Sequence, residues 1–128
     1  MHRIMLKSKI HRAKVTATKL YYEGSITIDA LLLEAANILP GEKVEVLNLN
    51  NGSRIETYAI AAKRGCGEVC LNGPSARYAC EGDEVIILAY SIVAEEETKT
   101  VKIKVVYVDS ANKIKDKTLR GSSSEEMR

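Results

Sequence analysis

Two alternating stretches on either side of Asn51-Gly52 place the strongest constraint on how this chain can fold. Residues 43–49 alternate apolar and polar side chains, and residues 53–60 do so again. A period of two is typical of a strand with one buried face, and Asn-Gly tolerates the positive φ angles of a tight turn. The sequence therefore predicts a β-hairpin, whose second strand presents Arg54 and Tyr58 on the same face.

Further strand patterns occupy most of the remaining chain. Residues 3–18 are typical of one or two strands, residues 84–93 form an apolar run that should cross the core, and residues 100–108 alternate with one wet face. Strands and helices do not alternate regularly along the chain, as they would in a protein built of βαβ units. We therefore expect a mainly β domain, most economically a closed barrel that leaves no sheet edge exposed.

One short, apolar helix is predicted over residues 30–37. Thr27 or Asp29 can serve as its N-cap, and Pro40-Gly41 is expected to end the segment. A helix of this kind covers one open end of a sheet or barrel.

Length and composition describe one globular domain. The chain has 128 residues, of which 45% are hydrophobic and 28% charged, with a net charge of +2. These values exclude a disordered chain, and neither nucleic acid nor membrane is indicated as a partner. The N-terminus has no signal-peptide pattern, so we expect a cytoplasmic protein. The domain is predicted to span residues 1–109, with residues 110–128 as a polar, disordered tail.

Three cysteines, Cys66, Cys70 and Cys80, are an odd number and argue against a disulfide framework. Their spacing matches no usual zinc site. We therefore expect reduced, structural thiols.

The peptide bond between Gly24 and Ser25 is the candidate reactive feature. A serine hydroxyl that lies against the preceding carbonyl can attack it and turn the amide into an ester. β-Elimination from that ester releases the upstream segment, and hydrolysis of the resulting dehydroalanine leaves a pyruvoyl group, which is an electrophile. Glycine suits the residue before the break because it admits strained φ and ψ angles and close approach. Taken alone, however, Gly-Ser is an ordinary turn dipeptide.

The residues around this bond resemble those of one enzyme family. The matching segments are Lys9-Ile10-His11-Arg12, Tyr22-Glu23-Gly24-Ser25, Asn51-Gly52-Ser53-Arg54, Thr57-Tyr58-Ala59-Ile60-Ala61-Ala62, Asn72-Gly73 and Gly82-Asp83-Glu84-Val85-Ile86-Ile87. Over residues 1–108 the chain closely resembles the aspartate 1-decarboxylases, pyruvoyl-dependent lyases that make β-alanine and CO₂ from L-aspartate for pantothenate and coenzyme A synthesis.

The resemblance implies a double-psi β-barrel with short covering helices, assembled as a homotetramer with active sites near the subunit interfaces. It also implies autocatalytic cleavage before Ser25, giving a β-chain of residues 1–24 and an α-chain of residues 25–128. Ser25 would become the covalent pyruvoyl group that forms a Schiff base with the substrate amine. No metal and no pyridoxal phosphate would be needed.

The resemblance also assigns roles to side chains. Tyr58 is the expected proton donor. Arg54 is expected to hold a substrate carboxylate with help from Lys9, because a planar guanidinium binds carboxylate in a bidentate manner. Thr57 is predicted on the opposite strand face from Tyr58, so its role follows from the resemblance alone. The remaining substrate-binding residues are Asn72, Gly73, Pro74 and Ser75, with His11 and Tyr22 in supporting roles.

Three positions depart from the family pattern. Leu47 stands where some members have a large aromatic residue, and Pro74 and Ser75 replace small alanines. Pro74 also removes one N–H donor. Three alternatives therefore stay open: an uncleaved β-barrel binding module, a pyruvoyl decarboxylase that acts on a different amino acid, and a metal-dependent enzyme.

Overall fold

The computed structural model describes residues 1–121 and 123–127. Within that part of the chain the strands are β1 (His2–Lys14), β2 (Ala17–Lys19), β3 (Ser25–Asp29), β4 (Lys43–Asn48), β5 (Arg54–Ala62), β6 (Val69–Asn72), β7 (Glu84–Ala94), β8 (Lys102–Val108) and β9 (Ile114–Gly121). The helices are α1 (Ala30–Ala36), α2 (Ser124–Met127) and two 3₁₀ helices, Gly73–Tyr78 and Glu95–Glu97. Among the described residues, neither α-helix has the length and apolar character needed to cross a membrane. The mainly β prediction is confirmed, as is the β4–β5 hairpin.

The sheet closes on itself because of the connection between β1 and β2. The strand order is β2-β6-β3-β5-β4-β7-β1-β8-β9. In a flat sheet, six spacings of about 4.8 Å would therefore separate β2 from β1. Only Val15 and Thr16 join these two strands, and a chain spans at most about 3.5 Å per residue. The sheet must curl, and the backbone N–H of Thr16 accordingly donates to the carbonyl of Val69 in β6.

Three of the strand pairs are parallel: β1 with β8, β2 with β6, and β3 with β5. Parallel neighbours need crossover connections rather than tight turns. The barrel is therefore not a simple meander, which agrees with the double-psi arrangement that the resemblance implies.

The core lies inside this barrel and consists of branched aliphatic side chains. The inner faces of strands β1, β3, β4, β6, β7 and β8 and one face of α1 supply its large fully buried members, which include Ile10, Ile26, Ile28, Leu32 and Ile87. Because Ile26 and Ile28 follow Ser25 in β3, burial of their side chains fixes the strand that begins at Ser25.

Helix α1 begins after Asp29, whose carboxylate accepts the backbone N–H of Leu31 at 2.9 Å. Of the two predicted residues, Asp29 forms the N-cap, whereas the hydroxyl of Thr27 accepts a hydrogen bond from Asn72. The helix ends at Asn37, which adopts the left-handed conformation with φ 55°. Pro40-Gly41 was expected to end this segment, but Asn37 stops the helix first because it tolerates positive φ.

The carboxylate of Asp29 is buried and joins α1 to the loop before β6. It accepts the backbone N–H groups of Gly65 and Gly67, each at 2.8 Å. Burial alone would raise the pKa of this carboxyl, but the three backbone donors outweigh it and lower the pKa overall.

The segment after Asp109 corrects the predicted disordered tail of residues 110–128. Residues Ile114–Gly121 form β9, antiparallel to β8. Asn112, at φ 60°, turns the chain between the two strands, and its carboxamide donates to the carbonyls of Lys14 and Gly67 at 2.8 Å. The polar composition was misleading because half of the β9 residues stay exposed on an edge strand. Ser122 and Arg128 lie outside the described residues.

Candidate active site

Ser25 is the first residue of β3 and faces Asn72 across the antiparallel β3–β6 pair. In this structure residue 25 carries its serine hydroxyl. Both side chains are only 1% exposed. Asn72 Nδ2 donates to Ser25 Oγ at 2.9 Å, and Ser25 Oγ donates to the carbonyl oxygen of Glu23 at 3.4 Å. The hydroxyl is therefore held by a donor on one side and directed towards the chain upstream of the Gly24-Ser25 bond.

Gly73 supports the segment that precedes Ser25. A Cβ atom on Gly73 would lie 2.9 Å from both the nitrogen and the Cα of Gly24, and Gly73 adopts φ +65°. Gly24 itself has no positive φ, and a Cβ there would meet Pro74 at an ordinary 3.7 Å. The left-handed conformation and the close contact that require a glycine are therefore found at Gly73 rather than at Gly24.

Pro74 and Ser75 follow Gly73 in the 3₁₀ helix. Pro74 occupies the first turn, where a missing N–H does not remove a helical hydrogen bond. Ser75 Oγ donates to the carbonyl of Asn72 at 2.7 Å and lies 3.3 Å from the carbonyl oxygen of Ser25. Both departures from the family pattern therefore fit this turn, and Ser75 adds a link to Ser25.

A cavity of about 520 Å³ opens beside the Gly24-Ser25 bond. Thr57 and Tyr58 both line it, although they point to opposite faces of β5. They can do so because β5 pairs with β3 only from Ala59 onward, which leaves the preceding edge of β5 open. The lining residues are Gly24, Ile55, Glu56, Thr57, Tyr58, Pro74, Ser75 and Tyr78. The Tyr58 phenol is 41% exposed there, so it can donate a proton to a molecule in the cavity.

Lys9 and His11 lie elsewhere in the single chain. Both belong to β1, which β7 and β4 separate from β5 in the sheet. His11 packs edge-on against Tyr107, with ring centroids 5.5 Å apart. Burial, followed by the positive charges of Lys9 and Arg12, lowers the pKa of His11. The imidazole is therefore neutral at neutral pH.

Arg54 also lies away from the cavity. Its Nη1 is 2.6 Å from Glu45 Oε1, which also accepts the hydroxyl of Tyr90 at 2.9 Å. Burial and the Glu45 carboxylate raise the pKa of Tyr90. Across the hairpin Arg54 pairs with Leu47. Tyr58 is four residue steps beyond Arg54, which amounts to about 13 Å along a strand.

Tyr22 contributes its backbone rather than its ring to the Ser25 region. Its carbonyl oxygen rests on Gly73. Tyr22 also lines a separate cavity of about 350 Å³, together with Lys19, Lys63 and Asn72.

The predicted site residues therefore form two groups. One surrounds the Gly24-Ser25 bond and comprises Gly24, Ser25, Thr57, Tyr58, Asn72, Gly73, Pro74 and Ser75. The other does not line that cavity: Lys9 and His11 lie on β1, Arg54 lies at the start of β5, and Tyr22 borders the separate cavity of about 350 Å³.

Thr27 and Cys70 join the first group, and sequence reasoning missed both. Asn72 Nδ2 also donates to Thr27 Oγ1 at 2.8 Å, and Cys70 Sγ donates to Asn72 Oδ1 at 3.3 Å. The available signal was spacing. Thr27 lies two residues after Ser25 and Cys70 two residues before Asn72, so each pair shares one face of its strand.

The comparisons with known proteins agree with one another. A family model described as aspartate decarboxylase matches residues 1–115. The chain is 57% identical over 113 residues to the aspartate 1-decarboxylase of Thermoanaerobacter pseudethanolicus, covering 88% of this chain and 97% of that protein. It is 55% identical over 127 residues to the aspartate 1-decarboxylase of Desulfitobacterium hafniense, covering 97% and 100%.

Among solved structures, the chain is similar to the rationally designed mkDPBB_sym_86 protein. The TM-score is 0.46 at 17% identity, and the match covers 60% of this chain and 90% of that chain. A likeness of this size supports no conclusion about function.

Proposed function

The chain belongs to the aspartate decarboxylase family, and from this premise we propose how its own residues perform the reaction. The protein is a carboxy-lyase that converts L-aspartate into β-alanine and CO₂, a step of pantothenate biosynthesis. In our proposal the chain first cleaves itself between Gly24 and Ser25. Residue 25 then carries a covalent pyruvoyl group.

The hydrogen bond from Asn72 to the buried Ser25 hydroxyl is the observation that carries this proposal. The residues present fit a pyruvoyl group, because residue 25 is enclosed and Asn72 offers an N–H beside it that a keto oxygen can accept. When present, that group supplies a conjugated carbonyl that takes up the electrons left as CO₂ departs.

Self-cleavage uses the Ser25 hydroxyl and the peptide bond that precedes it. Ser25 Oγ bonds to the Gly24 carbonyl carbon, the C–N bond breaks, and the hydroxyl proton passes to the freed nitrogen. Loss of the Ser25 α-proton then breaks the Cβ–Oγ bond, and Oγ departs as part of the Gly24 carboxylate. Water hydrolyses the remaining enamine to the ketone and releases ammonia. Asn72 donates to the oxygen that gains negative charge in the second step, which stabilises that charge.

Turnover uses the cavity beside Ser25. Tyr58 returns a proton to the substrate carbon after CO₂ leaves. Thr57 and Ser75 offer hydroxyls to the substrate, while Gly73 lets the backbone approach it closely. Pro74 shapes the wall of the cavity.

We further propose a homotetramer in which each site is completed by a second copy of the chain. Aspartate carries two carboxylates, yet the described lining of the cavity contains Glu56 and no lysine or arginine. Lys9 and Arg54 lie on other parts of the sheet, where a partner subunit could present them to the cavity. Co-expression tests this arrangement. Chains carrying Ser25→Ala and chains carrying Arg54→Ala should be inactive separately and regain activity when mixed, whereas a site built from one chain would regain none.

An intact-mass measurement tests the cleavage itself. The purified protein should give two polypeptides that separate between Gly24 and Ser25, and Ser25→Ala should give one inactive chain. A single 128-residue species with full activity would overturn the proposal. Release of CO₂ from L-aspartate but not from L-glutamate would show that Leu47, Pro74 and Ser75 preserve the substrate preference. Equal release from both would favour the alternative substrate.

A further inference from the structure

The buried thiol of Cys70 contacts the carboxamide that holds Ser25. Cys70 is 1% exposed and its Sγ donates to Asn72 Oδ1 at 3.3 Å. In the β3–β6 pair Cys70 faces Thr27, and Asn72 faces Ser25. The four side chains therefore form one cluster on one side of two strands.

The thiol distinguishes the two possible orientations of the Asn72 carboxamide. Its nitrogen donates to Ser25 Oγ at 2.9 Å and to Thr27 Oγ1 at 2.8 Å. A hydroxyl can donate as well as accept, so Thr27 is compatible with either end of the amide. Ser25 Oγ donates to the Glu23 carbonyl at 3.4 Å, which is long for a hydroxyl donor and does not by itself fix the carboxamide. Burial raises the pKa of the Cys70 thiol, which keeps its hydrogen. A protonated thiol is best satisfied by the amide oxygen, as in the observed orientation.

Asn72 also borders a second cavity. Together with Lys19, Tyr22 and Thr27 it lines the cavity of about 350 Å³. The bond from Cys70 opposes rotation of the carboxamide away from Ser25.

We propose that Cys70 is a positioning residue for self-cleavage, whose thiol keeps the N–H of Asn72, rather than its C=O, against the Ser25 hydroxyl. This inference rests on the proposed cleavage at Gly24-Ser25. A reversed carboxamide would place its oxygen beside Oγ and oppose the negative charge that develops there as the Cβ–Oγ bond breaks.

Cleavage kinetics of Cys70 variants test the inference. Pulse-labelled chains from cell-free translation start uncleaved, and intact mass then follows the two products. Cys70→Ala should lengthen the half-time about fivefold, as expected for loss of one buried hydrogen bond. Cys70→Ser places a hydroxyl donor at the same position and should cleave within about twofold of the wild type. Cys80→Ala removes an exposed thiol and should match the wild type.

The possible outcomes separate the positioning role of Cys70 from self-cleavage itself. If the wild type cleaves and Cys70→Ala cleaves at the same rate, the positioning role is overturned while self-cleavage stands. If Cys70→Ser is as slow as Cys70→Ala, packing rather than the donor is responsible and the inference also fails. A wild type that never cleaves removes both proposals. If Cys70→Ala shows no cooperative melting transition, Cys70→Val is used in its place, because valine fills the volume of the cysteine side chain without a hydrogen-bond donor. Cleavage of Cys70→Val at the wild-type rate would overturn the positioning role of Cys70.

Discussion

Gly73 lies directly against the carbonyl oxygen of Tyr22: a Cβ atom on Gly73 would come within 2.7 Å of that oxygen. Real Cβ atoms do not approach a backbone oxygen so closely, so any side chain at this position must displace one of the two segments. The displaced segment would include Gly24 and with it the bond that we expect to break. A residue distant in sequence thus controls the placement of the cleavage site.

Gly73→Ala should slow self-cleavage by about 100-fold, because a shift of roughly 1 Å in a reacting group has effects of that size. Intact mass over time gives the rate. Gly41→Ala is the matched control, since Gly41 also has a positive φ, +89°, but nothing lies within 4 Å of its Cβ position. Equal slowing in both variants would mean that backbone strain, and not contact with Tyr22, is responsible.

Tyr58→Phe should still cleave but lose about 100-fold in kcat, the usual contribution of a positioned acid. The variant keeps the ring that lines the cavity and removes only the hydroxyl. Release of CO₂ from aspartate measures the rate, and Tyr21→Phe, at a side chain 96% exposed, should be unaffected. Turnover of Tyr58→Phe at the wild-type rate would exclude Tyr58 as the proton donor.

Arg54→Lys should raise KM for aspartate about tenfold with little change in kcat, because an ammonium replaces a planar fork that grips a carboxylate at two points. Steady-state kinetics separate the two constants. Arg64→Lys is the control, as Arg64 forms a comparable exposed ion pair with Glu34 at 2.9 Å. An unchanged KM in Arg54→Lys would place the substrate carboxylate elsewhere.

Asp29→Asn should lower the free energy of unfolding by about 1–3 kcal/mol at neutral pH, since a buried carboxylate with three backbone donors is replaced by a weaker acceptor. The folded-state pKa of Asp29 lies below its ordinary value of 3.8. Its contribution is therefore complete above that value and disappears as the pH falls through the folded-state pKa.

Urea unfolding in the uncleaved Ser25→Ala background, at fixed protein concentration, measures this difference. The gap in unfolding free energy between the chain that keeps Asp29 and the chain that carries Asp29→Asn should narrow as the pH is lowered from 7 towards 3. Asp116→Asn, at an exposed position, should change stability by no more than about 0.5 kcal/mol. A gap that is constant with pH would show that the Asp29 charge does not contribute.

Local patterns predicted several elements correctly. The hairpin around Asn51-Gly52 and the helix over residues 30–37 depend on neighbours in sequence, so alternation and capping were enough to find them. The strand β9 was missed because its pairing with β8 offers little apolar signal. The N-cap of α1 remained ambiguous for a related reason, since only the fold shows that Thr27 is committed to Asn72.

The candidate site likewise contains residues that the sequence identified and residues that only the fold revealed. Motif residues near Ser25 were identified by resemblance, and the structure places Thr57, Tyr58, Asn72 and the Gly73–Ser75 turn around the Gly24-Ser25 bond. Cys70 was assigned to structural packing because its role depends on Asn72, and Asn72 reaches Ser25 only through the register of β3 against β6. The roles assigned to Lys9, His11 and Arg54 stay predictions, as these residues do not line the cavity of the single chain.

By itself the amino-acid order determined a mainly β chain, its principal turns, its family and the serine on which the chemistry depends, because each of these is written in short patterns of side chains. Tertiary structure alone decided which atoms touch Ser25, which glycine must lack a Cβ, and how the sheet closes through Val15 and Thr16. These features arise between segments far apart in sequence, and their geometry exists only once strand register and barrel closure have brought the segments together.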